Sequence, residues 1–245
     1  MYRIWQKLCA EFIGTFFFVL LSAGAVCADA ALRSASTSAT AGSAALGPLG
    51  IALVRGLAFA IFVSALYPIS GGHFNPAITL GAWVTRSIGS ISAILYGIVQ
   101  LIAAILASWT LTALVPGQIW RSVSLGAPDL GANISRTQGI FLELLLTFIL
   151  VFVFSATVPD VRSDSAPSSR FSTSASPAGF AAGLAIFVGY FAGAPFTGAS
   201  MNPALALGTA VAAHHFANHG VYWAGPMLGG VLGAWVYHAL FPRRS

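Results

Sequence analysis

Two stretches of fourteen residues, "PISGGHFNPAITLG" from Pro68 to Gly81 and "PFTGASMNPALALG" from Pro195 to Gly208, align without a gap and lie 127 residues apart. Each runs proline, a hydroxyl residue (Ser70 or Thr197), glycine (Gly71 or Gly198), Asn-Pro-Ala, then Leu-Gly. A polar, helix-breaking loop that occurs twice in an otherwise apolar chain restricts the possible folds more than any other feature here.

The surroundings of these loops are apolar. Of 245 residues, 57% are hydrophobic and 7% charged, and the mean hydropathy is +0.85. A soluble domain carries about 25% charged residues, and six acidic side chains cannot keep a surface of this kind wet. The chain is therefore expected to be an integral membrane protein. Its net charge of +5 reports topology rather than nucleic-acid binding, since the longest basic run is Arg243-Arg244. A span needs about 20 mostly apolar residues, and six candidates lie near 8–28, 47–67, 91–115, 140–158, 178–195 and 220–241.

An even number of spans puts both termini on one side. That side carries Arg3, Lys7, Arg86, Arg162, Arg170, Arg243 and Arg244, and the other Arg33, Arg121 and Arg136. This asymmetry favours cytoplasmic termini. The first thirty residues resemble a cleaved signal peptide in outline, but Glu11 interrupts the apolar stretch and has a counterpart in the second half, which favours a retained first span. Cys9 and Cys27 would be separated along that helix by about 27 Å at 1.5 Å per residue, too far to pair with each other.

The repeat extends beyond the loops. "AEFIGTF" (Ala10–Phe16) matches "LELLLTF" (Leu142–Phe148) at Glu11/Glu143, and "YGIVQLIAA" (Tyr96–Ala104) corresponds to "YWAGPMLGG" (Tyr222–Gly230). Residues 1–115 form a first repeat, 116–137 a connecting loop and 138–245 a second repeat. Three spans per repeat is an odd number, so the second copy enters from the opposite side, an inverted repeat. The Ala/Ser/Thr-rich 33–46 and the polar 159–177 read as flexible loops.

After each Asn-Pro-Ala, residues 76–84 and 203–212 form a short apolar stretch. Each is about 14–15 Å long as a helix, half of a roughly 30 Å hydrocarbon core. Two such half-helices entering from opposite faces would meet at the midplane. Irregular backbone at that depth is tolerated only where protein buries it or water wets it. Asn75 and Asn202 are natural N-caps, and Pro76 and Pro203 suit the first helical position before Ala77 and Ala204. A capping asparagine uses its oxygen on helix amides, which would leave two N–H donors for a molecule in the path. The half-helices also aim their positive ends, about half an elementary charge each, at the middle. The reading is a path for a neutral hydrogen-bonding molecule, closed to cations and protons. Glu11 and Glu143 would be costly at this depth unless they accept hydrogen bonds, and each could hold the amides of one loop. The plain alternatives are that Asn-Pro-Ala only starts helices and that Glu11 snorkels at the end of its span.

The stretches "AEFIGTF", "SGGHFNPAITLG", "LELLLTF", "GASMNPALALG" and "YWAGPMLGGVLGAW" resemble the aquaporin or major intrinsic protein family over nearly the whole chain. The resemblance implies an all-α membrane protein of six transmembrane helices plus two re-entrant half-helices, a pore in each subunit of a homotetramer, and passive conduction of water or small neutral solutes, with no cofactor or metal. It places the pore motifs at Asn75, Pro76, Ala77, Asn202, Pro203 and Ala204. Small Ala206 and Ala210 where glycerol-conducting members tend to carry aspartate, and the Tyr222-Trp223 pair, lean towards the water branch.

The constriction departs from the family pattern. The four filter positions become Arg55, Tyr190, Ala199 and Leu205. The arginine usual directly after the second motif is replaced by Leu205, and Arg55 stands where an aromatic is usual. Arg55 is expected to supply the missing cation from the opposite wall, unless it is a helix-end arginine reaching for headgroups. The alternatives kept are a channel for glycerol, urea, ammonia or hydrogen peroxide, a transporter with broken helices, and a non-conducting scaffold plugged by Tyr190 and Arg55. His214, His215 and His219 follow the second half-helix in an extramembrane loop, and are read as surface or pore-mouth residues in preference to a metal site.

Overall fold

A computed structural model describes residues 2–35, 45–157 and 177–241. Most of the two loops read as flexible lies outside these residues, as do Arg162, Arg170, Arg243 and Arg244 of the charge count. The described chain folds as α1 (Ile4–Ala35), α2 (Gly47–Ser70), α3 (Pro76–Val84), α4 (Ser90–Leu114), α5 (Gly117–Ser122), α6 (Arg136–Thr157), α7 (Pro177–Thr197), α8 (Pro203–Ala213) and α9 (Val221–Leu240). Among the described residues five helices (α1, α2, α4, α6 and α7) are long and apolar enough to cross a membrane. The 20-residue α9 has the length and carries no Asp, Glu, Lys or Arg, but its glycines, aromatics and histidine lower its hydropathy.

Two elements differ from the sequence expectation. Helix α1 has 32 residues, about 48 Å at 1.5 Å per residue, and so outruns the hydrocarbon core. Its polar end holds because Asp29 Oδ2 accepts from Arg33 Nε at 2.8 Å one turn on. Asp29 Oδ1 also accepts from the Gly47 N–H at 2.7 Å, which ties the end of α1 to the start of α2. The connecting stretch 116–137 is also more than a loop, since it contains α5 and a 3₁₀ turn at Ser124–Gly126. Leu125 of that turn is buried against α1 and the end of α8.

The outer surface is apolar, unlike that of a soluble protein. Large apolar side chains face outwards at helical spacing, such as Leu53, Leu57 and Ile61 on α2 or Phe141, Leu145 and Ile149 on α6. The interior holds small residues, the polar side chains Glu11, Asn75, Gln100, Glu143 and Asn202, and a core of larger apolar ones such as Phe18, Phe59 and Leu150. In lipid the attraction between helices comes from close packing, so small residues mark the crossings. A Cβ on Gly56 of α2 would lie 2.7 Å from the Gly183 carbonyl oxygen of α7. On α9, Gly225, Gly229 and Gly233 let the backbone of α6 approach at Ile140, Leu144 and Phe148.

The half-helices use the same device crosswise. Gly81 of α3 sits against α9, where an added Cβ would lie 2.7 Å from the Gly230 carbonyl oxygen. Gly208 of α8 sits against the Ala104 carbonyl of α4. Each half-helix therefore seats on the third span of the other half of the chain.

Candidate functional site

The site starts from two helix ends. Asn75 caps α3, its Oδ1 accepting from the Ala77 N–H at 2.8 Å. Asn202 caps α8, its Oδ1 accepting from Ala204 N–H at 2.9 Å and, more weakly, Leu205 N–H at 3.4 Å. The sequence reading left both N–H donors of each asparagine for the path, and the structure corrects this. Asn75 Nδ2 donates to the Met201 carbonyl at 2.8 Å, and Asn202 Nδ2 donates to the Phe74 carbonyl at 3.0 Å. Each asparagine thus reaches across to the residue that precedes the other. This reciprocal pair locks the two N-terminal helix ends together and leaves one donor of each amide group.

The loops leading to the asparagines turn through the left-handed region. Gly71, Gly72 and Phe74 have φ of 99°, 65° and 49°, and Gly198, Ala199 and Met201 have 73°, 42° and 52°. For a residue with a Cβ this conformation costs about 1–2 kcal/mol, so something must hold it. The two glutamates do so. Glu11 is fully buried. Its Oε1 accepts from Ser70 Oγ at 2.6 Å and His73 N–H at 3.0 Å, and its Oε2 from Phe74 N–H and Gln100 Nε2, both at 2.8 Å. Glu143, also fully buried, accepts from Thr197 Oγ1 at 2.8 Å, Ser200 N–H at 2.9 Å and Met201 N–H at 2.8 Å. The second copy lacks the fourth donor, because Pro226 stands where the first has Gln100. The hydroxyls of Tyr96 and Tyr222 complete the frame by donating to the carbonyls of Ser70 and Thr197 at 2.8 and 2.9 Å.

Of the four filter positions, the structure brings Arg55 and Tyr190 into contact. The Arg55 guanidinium carbon lies 4.1 Å from the centre of the Tyr190 ring. Arg55 is 3% exposed, so it does not reach for headgroups, and its Nε is buried without a hydrogen-bond partner. Ala199 lies on the second loop and Leu205 in the first turn of α8, both buried.

The three neighbouring histidines diverge. His214 ends α8 in the left-handed region, with φ 54°. His215 Nε2 lies 3.1 Å from Asp129 Oδ2. His219 Nε2 accepts from Trp223 Nε1–H at 3.1 Å. Among the described residues no group of three His, Cys, Asp or Glu side chains is placed to hold a metal. Asp129 also accepts from Asn218 Nδ2 at 3.0 Å and Leu130 N–H at 2.7 Å. Against a partial burial that alone would raise it, these bonds and His215 hold the Asp129 carboxyl below its usual range. Asp129 thereby clamps the loop before α6 onto the loop after α8. Gly131 N–H, two residues on, donates to the Phe196 carbonyl at the end of α7 at 2.8 Å.

Partial burial holds His219 below the ordinary histidine range. A depressed folded value means that its contribution is fully present above the unfolded value of about 6.5 and is lost as pH falls through the folded value. Protonation also removes the acceptor for Trp223. Acidification from neutral pH is therefore expected to shift Trp223 fluorescence only once the pH falls below the ordinary histidine range, a step absent in both Trp223→Phe and His219→Gln. The same step in His219→Gln would assign it elsewhere.

Sequence reasoning did not find Gln100, Tyr96, Tyr222 or the Phe74 and Met201 carbonyls as parts of this site. The tyrosines did carry a signal, since both open the matched stretches "YGIVQLIAA" and "YWAGPMLGG". The carbonyls could not have been found, because any residue supplies one.

Comparison with known proteins gives a uniform picture. A family model described as Major intrinsic protein matches residues 1–237. The lens fiber major intrinsic protein of Gallus gallus is 38% identical over 240 residues, spanning 98% of this chain and 83% of that protein. Aquaporin TIP4-4 of Zea mays is 38% identical over 238 residues, spanning 96% of this chain and 86% of that one. Among solved structures, the aquaglyceroporin from Plasmodium falciparum superposes with a TM-score of 0.77 at 21% identity, covering 98% of both chains, and so shares the fold.

Proposed function

Because the chain belongs to the major intrinsic protein family of membrane channels, we propose that it conducts water passively through a pore in each subunit, past a filter of Arg55, Tyr190, Ala199 and Leu205. The observation that carries this reading is the reciprocal asparagine pair. It fixes two helix N-termini end to end, with one amide donor of each left for a passing molecule. Two positive dipole ends at that point disfavour cations and protons. Neutral water takes the donor and returns one to a carbonyl. Glu11 and Glu143 brace the loops, and residues 1–115 and 138–245 act as two inverted repeats joined through 116–137. The assembly is a homotetramer in a lipid bilayer with cytoplasmic termini, and its chemistry is conduction rather than catalysis.

The test is the shrinkage and reswelling of proteoliposomes under osmotic shock with sucrose, glycerol and urea. The reading expects water efflux several-fold faster than from empty vesicles, with glycerol and urea reswelling at the background rate and no protein-dependent proton leak reported by an internal pH dye. Fast glycerol reswelling would move the chain to a solute channel. Water efflux at the background rate favours a second reading, a scaffold closed by the buried Arg55–Tyr190 contact. Asn202→Ala removes a helix cap and the bond to Phe74, each about 1 kcal/mol. It should lower water permeability severalfold and melt earlier, whereas unchanged permeability would remove the asparagine pair from the mechanism.

A further inference from the structure

We propose that Arg55 forms a binding site within the filter for a small planar monovalent oxyanion, of the formate or nitrate kind, whose occupancy obstructs water flow. The proposal rests on the reading above, that Arg55 and Tyr190 line the conducting path.

The starting observation is an unmatched charge. A guanidinium at membrane depth is expensive, and in such positions arginine normally pairs with a carboxylate or faces water. Arg55 is nearly fully buried, and its Nε has no hydrogen-bond partner. The carboxylate that acts on it electrostatically is Glu143. The oxygens of Glu143 already accept from Thr197, Ser200 and Met201. Among the described residues, the ion pairs are Arg33 with Asp29 and His215 with Asp129, and neither involves Arg55.

Geometry selects the class of ligand. The Tyr190 ring covers one face of the guanidinium at 4.1 Å, a favourable cation–π arrangement. What lacks a hydrogen-bond partner is the buried Nε, on the in-plane edge of the guanidinium. That edge is a rigid two-donor fork, which matches two oxygens of a planar oxyanion. Local charge selects the sign. The guanidinium is positive, and the other filter side chains, Ala199 and Leu205, carry no acid to repel an anion; the carboxylate that acts there, Glu143, has its oxygens hydrogen-bonded to Thr197, Ser200 and Met201. Water alone could also satisfy this edge, and the experiment separates the two cases.

The full-length protein is reconstituted, and its water permeability is measured in potassium gluconate, formate and nitrate of equal osmolarity. Gluconate, a six-carbon polyhydroxy acid, is far larger than formate or nitrate. Permeability should fall several-fold, saturably, with formate or nitrate and stay level in gluconate. Arg55→Gln, whatever its own permeability, should show no anion dependence. Arg55→Lys, which keeps the charge without the fork, should show a weaker one, and exposed Arg3→Gln should keep the full effect. The second measurement is the melting temperature of the purified protein, which should rise with formate but not gluconate and should lose this response in Arg55→Gln and weaken it in Arg55→Lys. Permeability and melting that both ignore formate and nitrate overturn the anion site and leave the water channel standing. A melting response that survives in both Arg55 variants also overturns it. Anion-dependent melting that needs Arg55, in a protein that conducts no water, upholds the site and overturns the channel.

Discussion

Glu11→Ala is expected to yield little or no stably folded protein, and Glu143→Ala to be damaged by the same route but less. Removing the Glu11 carboxylate leaves Ser70 Oγ, His73 N–H and Phe74 N–H without their acceptor in a buried interior, and Gln100 Nε2 with Thr79 Oγ1 alone. Each buried unpaired donor costs about 1–3 kcal/mol, so the sum approaches the 5–15 kcal/mol that holds an ordinary domain together. Glu143 serves three donors, Thr197, Ser200 and Met201, and its loss should cost proportionately less. A glutamine in either place keeps one carbonyl acceptor but points an amide donor at backbone N–H groups. It should fall between alanine and the native residue. Melting temperature in detergent and residual water permeability measure the order directly. Equal stability of Glu11→Ala and the native protein would mean that the first loop is held by other contacts.

The second large effect is steric. Gly208→Val should bring water permeability close to the level of empty vesicles. Any Cβ at this position would press into the backbone carbonyl of Ala104, so α8 must lift from α4. Overpacking a close crossing usually costs about 1–3 kcal/mol, and a contact with backbone cannot be relieved by a new rotamer. The obvious compensating change, Ala104→Gly, removes a side chain but leaves the carbonyl in place and should not rescue. Gly97 supplies the control, because a Cβ there meets nothing within 4 Å. Gly97→Ala should therefore be within about 0.5 kcal/mol of the native protein. Native permeability in Gly208→Val would show that the seat of α8 is not needed for conduction.

The parts of this molecule that could be read in the sequence are those written in residue types. The repeated frame gave the two half-helices, because asparagine before proline has a defined preference at a helix start. Glu11 and Glu143 could be named because an acid in an apolar span needs a reason. Their partners could not be named, since those are mostly backbone amides, and which amides come within reach depends on how the loops turn. Nor does the sequence mark Phe74 and Met201 as left-handed, since neither is a glycine. The Arg55–Tyr190 contact depends on the crossing of α2 and α7 at Gly56 and Gly183, a pairing between distant segments. The length of α1 was missed for a different reason. Hydropathy falls at its polar end, while the Asp29 bonds to Arg33 and Gly47 keep the helix going.

The crosswise seating of the half-helices has a consequence for the order of events during synthesis. When residues 1–115 have entered the membrane, α3 has no seat, because Gly230 has not yet been made. Asn75 likewise lacks the Met201 carbonyl. At about 5–20 residues per second, the interval between the making of Gly81 and Gly230 is on the order of 10 s. Throughout that interval a capped but unseated half-helix sits beside the translocation machinery, with its loop held only by Glu11 and the donors of the first half. The first half can prepare its loop and cannot finish it. A ribosome-stalled chain ending before Gly230 should accordingly leave a cysteine in place of Ile78, which is 1% exposed in the complete fold and larger than cysteine, open to a water-soluble thiol reagent, and the complete chain should protect it.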